Sequence, residues 1–235
     1  GCLGGDAARA NLLGRLPRAY PSLQPWIALG LGIHAFERRI VGRGLDPEVG
    51  QALADAFEQM GNPTWKAAIA VALGLAWRRE AGYRILDAMD ASQSPAFRGD
   101  CAVALGFMDF FEAEEDLRAL LDRSVDRPDQ QVQVAIALWI MGVGSAGTRE
   151  LLKAFTKESK TETTQAGLAA VLGLMGDQRA VNPLVGLLLD RARTPGKRAA
   201  AAAALGSMGD KEDLPWNVRI GFGLNYLAAT ESLTG

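Results

Sequence analysis

Residues 171–210 read VLGLMGDQRAVNPLVGLLLDRARTPGKRAAAAAALGSMGD, and within them Leu172-Gly173-Leu174-Met175-Gly176-Asp177 returns 33 residues later as Leu205-Gly206-Ser207-Met208-Gly209-Asp210. A period of that length marks helical-repeat arrays. Taking the glycine as origin, copies of the phrase fall at Gly1, Gly30, Gly74, Gly106, Trp139, Gly173 and Gly206, the last five being 32, 33, 34 and 33 residues apart. A leucine precedes each visible origin: Leu29, Leu73, Leu105, Leu138, Leu172 and Leu205.

Further columns give the register physical content. Eleven residues before the origin stand Pro63, Pro95, Pro128 and Pro195, suited to the first turn of a helix, where a missing N–H costs nothing. Asn62, Ser94 and Thr194 precede three of them as N-caps, and Thr161 before Glu162 is the cap where the proline is absent. Four residues before the origin come Ala70, Ala102, Ala135, Ala169 and Ala202, so a small and a large side chain share one face and helices can approach closely. Met108, Met141, Met175 and Met208 follow two residues after it as core fillers, and Gly142, Gly176 and Gly209 end the helix.

Between successive phrases there is room for one more amphipathic helix, as at 116–121 and 180–189. Each repeat is then a helical hairpin that buries its apolar face by stacking on its neighbours, and the expected fold is all-α, an α-solenoid with a right-handed superhelix. No run alternates with period two, and none is apolar enough to cross a membrane. With 49% hydrophobic residues but 7% aromatic, the core must be built from Ala, Leu, Val and Met.

The stretch 171–210 resembles two consecutive HEAT repeats of the bacterial type also found in phycobilisome lyases, and the pattern covers nearly the whole chain, weakening before Gly74. The resemblance implies one domain over 1–235, about six hairpins with a C-terminal cap at 214–235. It also implies a structural ladder in which Arg198 faces Asp177, the same column holding Lys66, Arg98, Gln131 and Gln165.

Because Gly1 to Asp6 aligns with Gly206 to Asp210, the chain reads as a fragment of a longer solenoid or a processed chain. Leu3, Leu12, Leu13 and Leu16 would then form an uncovered apolar edge through which the chain self-associates. Gly1-Cys2 also permits a lipoprotein reading with Cys2 acylated, although Cys2 already has a slot in the repeat; a cytoplasmic soluble protein is favoured over a secreted or lipid-anchored one. Cys101 shares a column with Ile69, Val134, Leu168 and Ala201 and is read as a buried small hydrophobe. Downstream, Trp216, Phe222 and Tyr226 are expected to cover the last hairpin.

Two irregularities break the pattern. Gly30 to Gly74 spans 44 residues, and the surplus lies around 38–46, as a longer first helix with a plain loop or as a binding loop carrying Arg38, Arg39 and Arg43. Trp139 replaces the glycine where close packing is expected, so its ring must wedge the repeats apart or turn to solvent.

Signs of catalysis and of cofactors are absent. Residues 142–147 match GxGxxG but follow a helix rather than a strand, and Gly196-Lys197 has no upstream glycine for a phosphate loop. His34, the one histidine, precludes a multi-histidine metal site and the His-Glu pairs of HEAT-repeat hydroxylases, since Ala35 follows it; it is expected to cap a turn. Nucleic acid is disfavoured by 25 basic against 27 acidic residues, three clustered arginines sufficing only for a local acidic contact.

The favoured function is therefore a protein-interaction scaffold whose concave wall is made by the second helices. Its strip comprises Trp65, Phe97, Gln130, Thr164 and Lys197 nine residues before the origin, and Ala68, Asp100, Gln133, Gly167 and Ala200 six before it. It runs from aromatic through polar to basic and suits a peptide or partner helix. The alternative, implied by the resemblance, is a bilin lyase or pigment-handling chaperone.

Overall fold

Prolines and small polar caps start most second helices where the period requires. The computed structural model describes residues 5–124, 127–156 and 162–209, and these form twelve α-helices with four short 3-10 turns. The first helix of each hairpin is α1 (Gly5–Arg15), α3 (Pro47–Gln59), α5 (Gly82–Ala91), α7 (Glu114–Arg123), α9 (Gly144–Thr156) and α11 (Val181–Leu189). The second is α2 (Gln24–Ile40), α4 (Pro63–Leu75), α6 (Pro95–Phe107), α8 (Pro128–Ile140), α10 (Glu162–Met175) and α12 (Pro195–Gly209). Asn62, Ser94 and Thr194 accept the N–H of Trp65, Phe97 and Lys197 at 3.2, 3.3 and 3.3 Å, each satisfying a donor that the first helical turn leaves free. Thr161 lies outside the described residues.

Each second helix packs on its own first helix, and α2 packs most extensively on α4, α4 on α6, α6 on α8 and α10 on α12, whereas α8 packs more on α9 than on α10. The two small-and-large columns make this contact. Leu73, Leu105, Leu138 and Leu172 are fully buried, as are Ala70, Ala102 and Ala135, with Ala169 at 1% exposure. Ala202 is exposed and Leu205 and Met208 half-buried, because α12 has no further second helix packed on it among the described residues. A Cβ added to Gly74 would lie 2.5 Å from the Ala104 carbonyl oxygen, and one on Gly106 2.9 Å from Ala137 Cα and O, so glycine at the origin sets the approach of neighbouring backbones.

The same test corrects the register of the first copy. A Cβ on Gly32 would meet Ala72 Cα and O at 2.8 Å, whereas one on Gly30 meets only a Leu12 methyl at 3.3 Å. Gly32 is the packing origin, with Leu31 and Ala28 fully buried beside it and Pro21 eleven residues before. The interval to Gly74 is then 42 residues, and part of the surplus is helix: α2 runs eight residues past its origin, to Ile40, before a loop at 41–46 that turns on Gly42 and Gly44 with φ of 75° and 76°. His34 sits inside α2 and caps no turn.

At the ends of α4, α6, α8 and α10 the residue three after the origin takes a left-handed backbone. Gly142 and Gly176 do so at φ 77° and 58°, but Trp77 and Asp109 do so at 55° and 51°, a conformation costing a side-chain-bearing residue on the order of 1–3 kcal/mol. Trp77 Nε1 donates to Asp109 Oδ2 at 3.1 Å, tying the two turns together.

At the N-terminal hairpin the expected open edge is not formed by the leucines described. Leu16 is 2% exposed and Leu12 and Leu13 pack half-buried against the core, because α1 folds back on α2. Leu3, Cys2 and the stretch 214–235 lie outside the described residues.

Candidate functional site

The second-helix strip divides into two columns with different fates. Nine residues before the origin, Phe97 is 5%, Gln130 1% and Lys197 2% exposed, and Trp65 is half-buried against the core. This column was expected to face solvent; instead it closes against the body of the protein. Lys197 makes the reason visible, its Nζ donating to the Thr156 carbonyl at 2.9 Å at the end of the preceding first helix. Gln130 is buried with neither amide atom hydrogen-bonded among the described residues. Thr164 lies on α10, its side chain outside the described set.

Six residues before the origin the column stays accessible. Ala68, Asp100, Gln133 and Ala200 are half-buried and Gly167 is exposed. Gln133 Nε2 donates to Asp100 Oδ1 at 2.6 Å, joining α6 to α8, and the approach is open because Gly99 leaves the room that a Cβ would take, 1.9 Å from Gln133 Oε1. Burial pushes the Asp100 carboxyl above the usual carboxylate range, and the Gln133 hydrogen bond opposes only part of that. In the Gly32 register this column begins at Trp26, which is 73% exposed, and the other at Leu23, 50% exposed. Both were missed in the sequence because Leu29-Gly30 and Leu31-Gly32 offer the same phrase two residues apart.

Of the three arginines of the α2 extension and its loop, Arg38 and Arg43 line one cavity and Arg39 does not join them. Arg39 lies over Phe36 and Trp77, its guanidinium carbon 5.7 and 5.3 Å from the ring centroids. Arg38 lines, with His34, Glu37, Val41, Arg43 and Asp6, a cavity of about 250 Å³ on the side towards α1. Asp46, at the end of the loop, caps α3 through the Val49 N–H at 3.2 Å and is paired with Arg9, which holds its carboxyl below the usual range with help from nearby Arg38.

The anticipated Arg198–Asp177 ladder is not made. Arg198 Nε donates to the Leu188 carbonyl at 2.8 Å, closing its own hairpin. Asp177 instead receives Arg179 and the Thr148 hydroxyl at 2.6 Å, and with Arg179 as the larger cause its pKa falls to about 2. In the same column as Arg198, Lys66 lies 4.5 Å from the Phe57 ring centroid. Cys101 is fully buried and its thiol pushed far up by desolvation. Of residues 142–147, Gly142 and Val143 turn into α9 and 144–147 are the first residues of that helix. Among the described residues no three His, Cys, Asp or Glu side chains group as metal ligands, and no helix is long and apolar enough to cross a membrane.

No family model matches the chain, and the search of curated proteins returns no match. Among solved structures, a human deoxyhypusine hydroxylase in complex with glycerol is similar at 18% identity and a TM-score of 0.38, over 88% of this chain and 75% of that one.

Proposed function

We propose that the chain is a HEAT-like α-solenoid with a right-handed superhelix, and that it works as a protein-interaction scaffold whose second helices line the concave, partner-binding wall. One observation carries this reading. The column Trp26, Ala68, Asp100, Gln133, Gly167 and Ala200 keeps accessible surface on every second helix, while Leu73, Leu105, Leu138 and Leu172 and the alanines Ala70, Ala102, Ala135 and Ala169 are spent on packing. Asp100 and Gln133 hold each other rather than reaching into the core, so the middle of the strip is polar, preformed surface. A row of positions repeated at the helix spacing suits an extended chain or a partner helix, which needs contacts at regular intervals.

Panning a displayed random-peptide library against the chain tests the proposal. Selected peptides should lose binding with Gln133→Arg, which fills the strip, and keep it with Arg118→Glu on the first helix α7. Peptides that respond to the α7 change and ignore the strip would overturn it.

A further inference from the structure

The exposed start of the strip has a definite chemistry. Tyr20 is 79%, Leu23 50% and Trp26 73% exposed. The Leu23 and Gln24 N–H groups donate to the Tyr20 carbonyl and the Ile27 N–H to that of Leu23, so the backbone coils continuously into α2 and brings these three side chains to one side. Two aromatic rings and a leucine within one coil form an apolar patch of the kind that dominates protein interfaces.

Charge around the patch has one sign along the chain. From Ala10 to Phe36 there is no Asp or Glu, and the two charged residues are Arg15 and Arg18. Both are exposed and, among the described residues, neither is paired with a carboxylate. Among the other arginines, Arg9 pairs with Asp46, Arg79 with Glu112, Arg84 with Glu58 and Arg118 with Glu114. Next to Leu23, Gln24 borders a cavity of about 190 Å³ walled by Leu13, Leu16, Pro17, Ala52 and Ala56. Its one carboxylate, Asp55, accepts from Gln51 at 2.8 Å.

We infer that this end of the strip anchors an acidic polypeptide segment carrying bulky apolar side chains. The apolar groups pack on Tyr20, Leu23 and Trp26, and the carboxylates meet Arg15 and Arg18. A lipid surface is the poorer fit, because recognition of anionic membranes uses clusters of roughly four to eight basic residues and this patch has two. The inference rests on the reading of the strip as a partner-binding face and supplies the class of partner.

The test is a fluorescence-anisotropy titration with a fluorescein-labelled Glu-rich peptide containing Leu and Phe, beside the same peptide with Lys for Glu and vesicles of phosphatidylserine and phosphatidylcholine. The acidic peptide should bind, more weakly as salt rises, and the basic one and the vesicles should not. Trp26→Ala and the double change Arg15→Glu, Arg18→Glu should each raise Kd by about tenfold or more, with the melting temperature held because all three side chains are exposed. Equal binding of the two peptides, Kd values unmoved by both variants, or binding to vesicles in place of the acidic peptide would overturn the anchor. Library-selected peptides that ignore Trp26→Ala but are lost with Gln133→Arg would overturn the anchor and leave the scaffold standing. Failure of every peptide at the strip would remove both.

Discussion

The junction between α6 and α8 and the one between α8 and α10 are built on the same register with opposite materials. At the first, Gly106 faces Ala137 with no room for another carbon, and Asp100 and Gln133 are hydrogen-bonded across the helices. At the second, the corresponding positions are Trp139 and Val171, and α8 and α10 pack together least of the neighbouring second helices. Trp139 is half-buried and packs against the core with part of its surface left accessible. Small residues at the origin set helix separation; a large one moves the load to other contacts. Here that load falls partly on α9, which packs on both α8 and α10 and whose Thr148 hydroxyl bonds Asp177.

The largest effect that can test this contrast is in the leucine column. Leu172→Ala, at a fully buried position beside the looser junction, should cost about 2–5 kcal/mol, while Arg38→Ala should leave the thermal melt nearly unchanged. If the order were reversed, the leucine column would not be the shared core of both junctions. Next comes the origin. Gly106→Ala should destabilise by roughly 1–3 kcal/mol through overpacking against the Ala137 backbone, and Gly206→Ala, with nothing within 4 Å among the described residues, should be neutral or stabilising by up to about 1 kcal/mol. Equal responses at the two glycines would remove close approach as the reason for the column.

Smaller effects lie in the polar ties. Asp177 titrates at about 2 in the fold, below its unfolded value, so its contribution is present above the ordinary carboxylate range and is lost as pH falls towards 2. Melting curves of the wild type and Asp177→Asn should differ at neutral pH and converge at the acid end of that window. Asp100 has the opposite sign. Its pKa is raised, so folding favours the protonated form, and stability declines as pH rises from the unfolded pKa to the folded one. Asp100→Asn, which keeps an oxygen for Gln133, should melt slightly higher at neutral pH and like the wild type at low pH. A lower melt at neutral pH would mean that the charge, not the hydrogen bond, joins α6 to α8.

Residue type carried the register wherever packing demanded one chemistry. Proline at the first turn, alanine and leucine in the shared face and polar caps all have local or near-local causes, and the helices begin where those residues stand. The first copy was misread at Gly30 because two Leu-Gly pairs overlap; Pro21 and Ala28, at the correct distances from Gly32, were the signal that separates them. The strip was half legible. A repeat identifies which positions are equivalent, but Phe97 and Lys197 are covered by atoms of other elements, and no column states what covers it. The left-handed turn at Trp77 was illegible for a different reason, since Trp does not advertise a positive φ, although Asp, the residue type at 109, is enriched there, and the hydrogen bond between the two spans 32 residues. The Arg198–Asp177 pairing failed because each group finds a nearer partner. A bilin-handling role, drawn from resemblance alone, would require covalent colour after bilin co-expression, and the scaffold reading predicts a colourless chain.

The central claim is that partners lie along the accessible column of the second helices, beginning at Trp26. Hydrogen–deuterium exchange of the chain with and without a saturating library-selected peptide tests it most directly. The account predicts slowed exchange at the start of α2 and in the first halves of α4, α6 and α8, with α5 and α7 unchanged. Protection confined to α5 and α7, or to the loop at 41–46, would contradict it.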